Sequence, residues 1–234
     1  MRLAHYEPLS LSDFPHRLAA TVFTVGCNFA CPYCHNPELV RITEDTPELT
    51  PEAFFDFLQR RRGRLNGVCI TGGEPTLHHD LPDFVAHIRS LGYAVKLDTN
   101  GSNPGMLAEL LDTSLLDYVA MDVKAAPSRY AEVTGNPGAL LLAEASIALL
   151  GTHEVAHEFR TTILPRLFGE TDLDELAGIL PEGSEYVIQN FVLSKTLDKD
   201  YADCRGFEPR ILEDFASHLR LRYPSLHIST RGGI

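Results

Sequence analysis

Long apolar runs are missing near the N-terminus of this 234-residue sequence, so we expect neither a signal peptide nor a membrane span. The sequence also lacks repeats, low-complexity tracts and linkers rich in Gly or Ser, and we therefore predict a single domain over residues 1–234. Basic residues are comparatively few, 20 against 32 acidic ones. The resulting net charge of −12 argues against a nucleic-acid partner.

A second CxxC pair is missing as well, although the chain has five cysteines. Their odd number, and the crowding of Cys27, Cys31 and Cys34 within eight positions, argue against a secreted disulfide framework. The crowding favours a metal site in a reducing compartment, and we expect a cytoplasmic protein. Cys69 lies in a predicted strand as a core residue, and Cys204 lies in a late loop.

Short β-rich runs alternate with longer amphipathic stretches along the chain. The runs predict buried strands at 19–25, 67–71, 94–98, 118–123, 158–164 and 186–191, with a short closing strand near 226–229. The amphipathic stretches predict helices at 51–62, 81–91, 106–111, 140–150, 173–180 and 209–223, the first with Thr50 as N-cap before Pro51. Repeated β-α units imply a parallel sheet, and six of them predict an α/β fold, a partial (β/α)6 TIM-like barrel.

Every unusual motif follows one of these predicted strands or lies on it. In parallel α/β folds, ligands bind at the carboxyl ends of the strands, so we expect the motifs to form one site. In chain order they are the three cysteines, "TGGEPT" at 71–76, "DTNG" at 98–101, "MDVK" at 121–124, Arg160 and Gln189.

The three cysteines have three interpretations. They could be small core residues. They could form a Cys3His zinc site completed by His35, although ligands adjacent in sequence diverge. They could instead hold an iron–sulfur cluster, which soft thiolates suit. A four-iron cluster held by Cys27, Cys31 and Cys34 leaves one iron without a protein ligand, and that iron is open to a substrate or cofactor.

The spacing CxxxCxxC, with the aromatic Tyr33 before the last cysteine, resembles the radical S-adenosylmethionine superfamily. "GGEP" at 72–75 is similar to the second hallmark of that superfamily. The resemblance implies a [4Fe–4S] cluster whose fourth iron is chelated by S-adenosylmethionine. It also implies reductive cleavage of that cofactor to a 5′-deoxyadenosyl radical, which abstracts hydrogen from the substrate.

The same resemblance implies roles for residues beside the cofactor. Gly72 and Gly73 would allow close approach of the backbone, and Glu74 would accept from the methionyl ammonium, although "GGEP" alone could be a simple turn. Tyr33 would lie against the adenine. His35 is also expected among the cofactor-binding residues, and the resemblance implies no particular role for it.

Two cations at strand ends complete this predicted set. Lys124 and Arg160 would bind the carboxylate or ribose of S-adenosylmethionine, and structural ion pairs are the alternative for both.

"LDTNG" at 97–101 and "MDVK" at 121–124 are similar to motifs of pyruvate formate-lyase activating enzyme, one of the glycyl-radical-enzyme activases. By that resemblance Asp98, Thr99 and Asp122 would hold a monovalent cation, Na⁺ or K⁺, for which hard oxygen ligands are suited. The alternative is that these acids cap the following turns.

The N-terminal stretch 9–29 resembles the activating proteins of anaerobic ribonucleoside-triphosphate reductase, with one departure. His16 stands where that subgroup usually has glycine, and we expect an altered turn before the first strand. The stretch between Cys34 and Gly72 lacks a ferredoxin-like insert with its extra cysteines, so a single cluster is expected.

The resemblance therefore predicts an activase that removes a Cα hydrogen from a glycine of a partner glycyl radical enzyme, with flavodoxin or a ferredoxin-type protein as electron donor. Two alternatives remain open. One is a radical enzyme acting on a small molecule, similar to 7-carboxy-7-deazaguanine synthase, and the other is a zinc-binding module without catalysis.

Overall fold

The computed structural model describes residues 1–44, 46 and 48–232, which divide into two compact units. Unit 1 comprises Met1–Asn28, Glu38–Thr99 and Asn103–Ala120, and unit 2 comprises Phe29–Pro37, Asn100–Ser102 and the chain from Met121 onward. The prediction of a single domain over 1–234 stays a prediction.

Strands and helices alternate along most of the described chain. The strands are β1 Leu3–Ser10, β2 Ala19–Thr24, β3 Gly67–Gly72, β4 Ala94–Thr99, β5 Tyr118–Asp122, β6 Ala156–Ile163, β7 Glu185–Asn190 and β8 His227–Arg231. The α-helices are α1 Pro37–Val40, α2 Pro51–Arg60, α3 Leu81–Ser90, α4 Pro104–Asp112, α5 Tyr130–Thr134, α6 Ala139–Thr152, α7 Glu170–Gly178 and α8 Pro209–Arg222. All seven predicted strands and all six predicted helices are confirmed, with ends that differ by a few residues.

The sheet of unit 1 is built from β1 to β4 in chain order, and β5 is divided between the two units. The strands β2, β3 and β4 run parallel, and their register aligns Thr21 with Cys69 and Cys69 with Lys96. The strand β1 was not predicted, and it pairs antiparallel to β2 with two register shifts. Pro8 lies within β1, which is compatible with a strand at the edge of a sheet.

The sheet of unit 2 has parallel strands in the order β6, β7, β8. The middle of β7 is apolar, with Tyr186 and Ile188 fully buried, and β6 buries Phe159 among polar and charged neighbours. Such strands, covered on both faces, are typical of α/β folds.

Helix starts in unit 1 follow the capping chemistry of the sequence. Thr50 caps α2 as predicted, since its hydroxyl accepts from the Ala53 amide at 3.3 Å and Pro51 occupies the first helical turn. Asn103 caps α4 in the same way, accepting from the Met106 amide at 3.2 Å.

His16 adopts a left-handed backbone conformation, with φ of 60°, in the turn before β2. This is the position at which the sequence departs from a glycine-bearing pattern. This conformation is about 1 kcal/mol less favourable for a residue with a Cβ than for glycine. His16 is therefore strained, because it holds a backbone conformation that glycine would adopt freely.

We therefore expect His16→Gly to raise the melting temperature by about 2–4 °C, because the strain is relieved at an exposed site. His16→Ala is the matched control, since it removes the imidazole but keeps the Cβ. A melting temperature raised equally by both substitutions would show that the imidazole, and not the backbone, carries the strain.

Among the described residues, no single helix is long and apolar enough to cross a membrane. One sharply bent pair, Pro127–Thr134 with Ala139–Thr152, meets the length and composition test only when taken together.

Candidate active site

The "GGEP" turn after β3 packs directly on the backbone that leads into the first cysteine. The Gly73 amide donates to the Thr24 carbonyl at 2.9 Å, and the Glu74 amide donates to the Gly26 carbonyl at 2.7 Å. A Cβ at Gly73 would lie 1.9 Å from the Gly26 oxygen, and one at Gly72 would lie 2.2 Å from the Thr24 nitrogen. Both glycines therefore pack against the backbone at Thr24 and Gly26 within unit 1.

We expect Gly73→Ala to lower the free energy of unfolding by about 3 kcal/mol, because backbone atoms cannot yield to the added methyl group. The substitution should also reduce the iron bound per chain by displacing the backbone before Cys27. Gly105→Ala is the control, since a Cβ there meets only the Asn103 side chain at 3.7 Å. Thermal melts and iron analysis of both variants test this, and wild-type values for Gly73→Ala would contradict it.

The Glu74 side chain is buried and serves as an acceptor for two threonines. Its Oε1 atom accepts from the Thr76 amide at 3.1 Å, the Thr76 hydroxyl at 2.5 Å and the Thr99 hydroxyl at 2.7 Å. These contacts join the end of β3 to the end of β4 within unit 1. A role of Glu74 toward a methionyl ammonium stays a prediction.

Asp98 and Thr99 end β4, and both have partners within unit 1. Asp98 Oδ1 forms an ion pair with the buried ammonium of Lys96, and the Thr99 hydroxyl donates to Glu74. The predicted monovalent cation at Asp98, Thr99 and Asp122 stays a prediction.

The cysteine segment is shared between the units. Cys27 belongs to unit 1 and is partly exposed, whereas the buried Cys31 and the partly exposed Cys34 belong to unit 2. In unit 2, the Cys34 amide donates to the Cys31 carbonyl at 3.0 Å, and the Ala30 amide donates to the Thr134 carbonyl at 2.8 Å. Loop contacts thus hold the Cys31–Cys34 backbone in a turn.

Over residues 1–44, 46 and 48–232, no group of three or more His, Cys, Asp or Glu side chains is gathered in an arrangement ready to hold a metal ion. The assignment of the three cysteines as cluster ligands therefore stays a prediction based on their spacing and chemistry.

Tyr33 and His35 flank the last cysteine in unit 2. The Tyr33 side chain is buried, and its hydroxyl donates to the Lys124 carbonyl at 2.8 Å. Burial, followed by the charge of Cys31, raises the pKa of Tyr33 well above its usual value, so the phenol stays protonated. The exposed His35 ring lies 4.9 Å from the Phe191 ring centroid, and desolvation together with Lys124 lowers the pKa of His35. Their roles toward adenine and cofactor stay predictions.

Alternating charges in unit 2 connect the end of β5 to the interior of β6, where Arg160 lies within the strand and not at its end as predicted. Asp122 accepts from Arg160 Nε at 2.8 Å and from Lys124 Nζ at 3.0 Å. Arg160 Nη1 lies 3.8 Å from Glu158, which also pairs with Arg231 at 3.3 Å. The structure thus brings three predicted cofactor-binding residues of unit 2 into direct contact.

The contacts among Asp122, Lys124 and Arg160 determine the charge states of these three side chains. Burial alone would raise the pKa of Asp122, but Arg160 and then Lys124 hold it well below its usual range. Burial likewise opposes the charge of Lys124, yet Asp122, followed by Cys31, raises the pKa of Lys124 well above its usual value. All three side chains therefore stay charged at neutral pH and give the group a net positive charge.

We expect Asp122→Asn to lower the melting temperature at pH 7 by about 4–8 °C, because two neighbouring cations lose their shared carboxylate. A carboxyl whose pKa is lowered in the folded state stabilises the fold above its unfolded pKa, near 4, and that stabilisation is lost as the pH falls further. The gap between wild type and variant should thus narrow below about pH 4.

The exposed Asp203→Asn is the control and should melt like wild type at each pH. A gap for Asp122→Asn that stays constant from pH 7 to pH 3.5 would contradict the charge-based explanation.

Two site residues were missed by the sequence analysis, Lys96 and Thr76. The side chains of Lys96 and Asp98 share one face of β4, because alternate residues of a strand point the same way. A lysine two positions before the "DTNG" motif was therefore a readable signal. Thr76 ends the "TGGEPT" motif, but nothing in the sequence predicted its contact with Glu74, which depends on the turn that follows β3.

Comparison with known proteins identifies the class to which this fold and site belong. The family model "Radical SAM superfamily" matches residues 21–176. The structure of Streptococcus suis SuiB bound to S-adenosylmethionine superposes with a TM-score of 0.63 at 18% identity, over 88% of this chain and 48% of SuiB. The chain thus spans about half of that structure, and the likeness shows the fold, a partial TIM-like barrel as predicted.

The chain belongs to the radical SAM superfamily and is an enzyme of that class. This membership implies a [4Fe–4S] cluster and S-adenosylmethionine as cofactors.

Two curated relatives narrow the comparison. The Methanocaldococcus jannaschii protein MJ1227, named as a candidate glycyl-radical enzyme activating enzyme, is 34% identical over 201 residues, 82% of this chain and 81% of its own length. The 7-carboxy-7-deazaguanine synthase of Aquifex aeolicus is 35% identical, but only over 77 residues, 33% of each chain.

The donor chemistry of the cysteine segment fits the implied cluster. Three thiols within eight positions supply the soft donors that an iron–sulfur cluster takes, and two of them are partly exposed. The backbone before Cys27 lies so close to Gly72 and Gly73 that a Cβ would not fit at either position. This close packing fixes the backbone before Cys27 in unit 1.

Proposed function

We propose that this protein activates a glycyl radical enzyme by removing a Cα hydrogen from a glycine of that partner. The observation that carries the proposal is the similarity to MJ1227 over about four fifths of both chains, since that relative is named for this activity. The match to 7-carboxy-7-deazaguanine synthase covers one third of each chain and supports the shared superfamily only.

We assign three kinds of role to the residues of this chain. Cys27, Cys31 and Cys34 would hold three irons of the cluster. The positively charged Arg160–Lys124 group in unit 2 would bind the carboxylate or ribose of S-adenosylmethionine, with Asp122 fixing the orientation of both cations. When bound, the cluster and S-adenosylmethionine supply a one-electron cleavage that gives a 5′-deoxyadenosyl radical.

The partner we propose is anaerobic ribonucleoside-triphosphate reductase, because the N-terminal stretch 9–29 resembles its activating proteins. A flavodoxin or a ferredoxin-type protein would supply the electron. The proposal places the enzyme in a reducing cytoplasm, since thiolates that hold a cluster must stay reduced.

The second candidate is a radical enzyme that acts on a small molecule, favoured by the local match to 7-carboxy-7-deazaguanine synthase. One experiment separates the two. The cluster-loaded protein, reductant and S-adenosylmethionine are mixed anaerobically with the reductase, with a purine or with a pterin, and organic radicals are measured by electron paramagnetic resonance.

We expect a radical signal on the reductase and none when its radical-bearing glycine is replaced by alanine. No signal on the reductase, together with turnover of the purine or pterin, would contradict the activase and favour the second candidate.

A further inference from the structure

Lys96 places an ammonium group inside unit 1, where charged groups are costly unless they are paired. Its side chain is 2% exposed and its Nζ atom forms an ion pair with Asp98 Oδ1. The same Nζ atom lies 3.8 Å from the Cys69 sulfur and 5.9 Å from the centroid of the Tyr118 ring. The ammonium therefore sits among a carboxylate, a polarisable sulfur and the face of an aromatic ring.

The sheet itself fixes this position. Lys96 and Asp98 are two residues apart on β4 and share one face of the strand. Cys69 is the register partner of Lys96 on β3, so its side chain lies beside the lysine stem. The ion pair is therefore built into two neighbouring strands and does not depend on a mobile surface side chain.

The location connects this pair to the proposed cofactor site. Asp98 directly precedes Thr99, whose hydroxyl donates to Glu74 of the "GGEP" turn. Asp98 is also one of the oxygen ligands that the resemblance to the activases implies for a soluble monovalent cation. A fixed ammonium on Asp98 supplies the same single positive charge, and a second cation on that carboxylate would be repelled by the first.

We propose that Lys96 is the built-in cation of Asp98, and that it replaces a soluble Na⁺ or K⁺ in the unit 1 part of the site. Binding of S-adenosylmethionine by this enzyme then needs no added monovalent metal ion. Lys96 acts as a positioning residue, since it holds Asp98 in place and sets the charge around it. This inference rests on the proposed function, because it assumes that the methionyl group binds beside β4.

The test compares S-adenosylmethionine affinity in choline chloride, NaCl and KCl at equal ionic strength. Wild type, Lys96→Met and the exposed control Lys195→Met are used as cluster-loaded proteins, and binding is measured by anaerobic calorimetry. We expect wild type and Lys195→Met to bind with a dissociation constant that changes less than about twofold among the salts.

Lys96→Met keeps the length of the stem but leaves Asp98 without its ammonium. Its affinity should fall about tenfold or more in choline and recover in NaCl or KCl, as a soluble cation takes the place of the ammonium. Circular dichroism in each salt checks that the variant is folded.

Two results would contradict the inference. Wild-type affinity that rises more than about fivefold on replacing choline by Na⁺ or K⁺ would show that a soluble cation binds despite Lys96. If Lys96→Met binds S-adenosylmethionine as tightly as wild type in every salt, Lys96 has only a structural role. If the variant does not fold, the salt comparison on wild type decides alone. A wild type that binds no S-adenosylmethionine in any salt contradicts the proposed function itself, a result distinct from salt-dependent binding.

Discussion

Cys31→Ala should abolish stable assembly of the [4Fe–4S] cluster, because two thiolates cannot retain a four-iron cluster against loss. The same loss is expected for Cys27→Ala and for Cys34→Ala. After anaerobic reconstitution we expect wild type to contain about four irons and four sulfides per chain. Each single variant should contain well under half of that amount, and the charge-transfer absorption of the cluster should be missing.

Cys204→Ala is the matched control for these variants. Cys204 is partly exposed and lies in the loop before α8, so its loss should leave iron, sulfide and absorption unchanged. One zinc per chain in wild type would favour the zinc-binding module instead. A cluster lost from Cys204→Ala but retained in Cys31→Ala would overturn the assignment of the ligands.

The second large effect concerns coupling to the partner. Without a protein substrate, we expect slow formation of 5′-deoxyadenosine, because the reactive intermediate has no hydrogen donor in place and water is not excluded. Addition of the glycyl radical enzyme should raise the rate about tenfold or more, since docking closes the site around the glycine loop.

A short peptide with the glycine loop should substitute only weakly, because it lacks the rest of the docking surface and must be ordered on binding. A partner whose glycine is replaced by alanine should still dock but should give no stable radical. Equal rates of 5′-deoxyadenosine formation with and without the partner would contradict a coupled protein substrate.

The predictable part of this fold follows from the composition of its strands. Runs such as "GVCIT" and "YVAMDV" are apolar, β-branched and short, and they became β3 and β5 within a residue or two of the predicted ends. The strand β1 was missed because "LAHYEPLS" contains Pro8 and has no regular alternation of buried and exposed residues. Its place in the sheet depends on antiparallel pairing with β2, which is a long-range contact.

The site was predictable as a set of motifs but not as a set of contacts. The sequence indicated that Gly72 and Gly73 need close approach, but the backbone that crowds them, at Thr24 and Gly26, lies two helices earlier in the chain. The pairing of Asp122 with Arg160 depends on the end of β5 lying beside the interior of β6. Only Lys96 was readable locally, through its two-residue spacing from Asp98.

The partners of Asp98, Thr99 and Asp122 bear on the predicted binding of a monovalent cation. Asp98, Thr99 and Asp122 all have partners within their own units, and these partners are an ammonium, a carboxylate and two cations respectively. A carboxylate that already carries a fixed cation has less to gain from a soluble one. The salt comparison on wild type therefore bears on the predicted Na⁺ or K⁺ as well as on Lys96.

The measurement that tests the central claim most directly is isotope transfer from the partner. Anaerobic ribonucleoside-triphosphate reductase with Cα-deuterated glycine is mixed with the cluster-loaded enzyme, reductant and S-adenosylmethionine under anaerobic conditions. We expect one deuterium to appear in 5′-deoxyadenosine by mass spectrometry, and an organic radical to appear on the reductase by electron paramagnetic resonance. If 5′-deoxyadenosine formed with the reductase carries no deuterium, while a purine or pterin transfers its own label, the enzyme acts on a small molecule and the activase proposal is wrong.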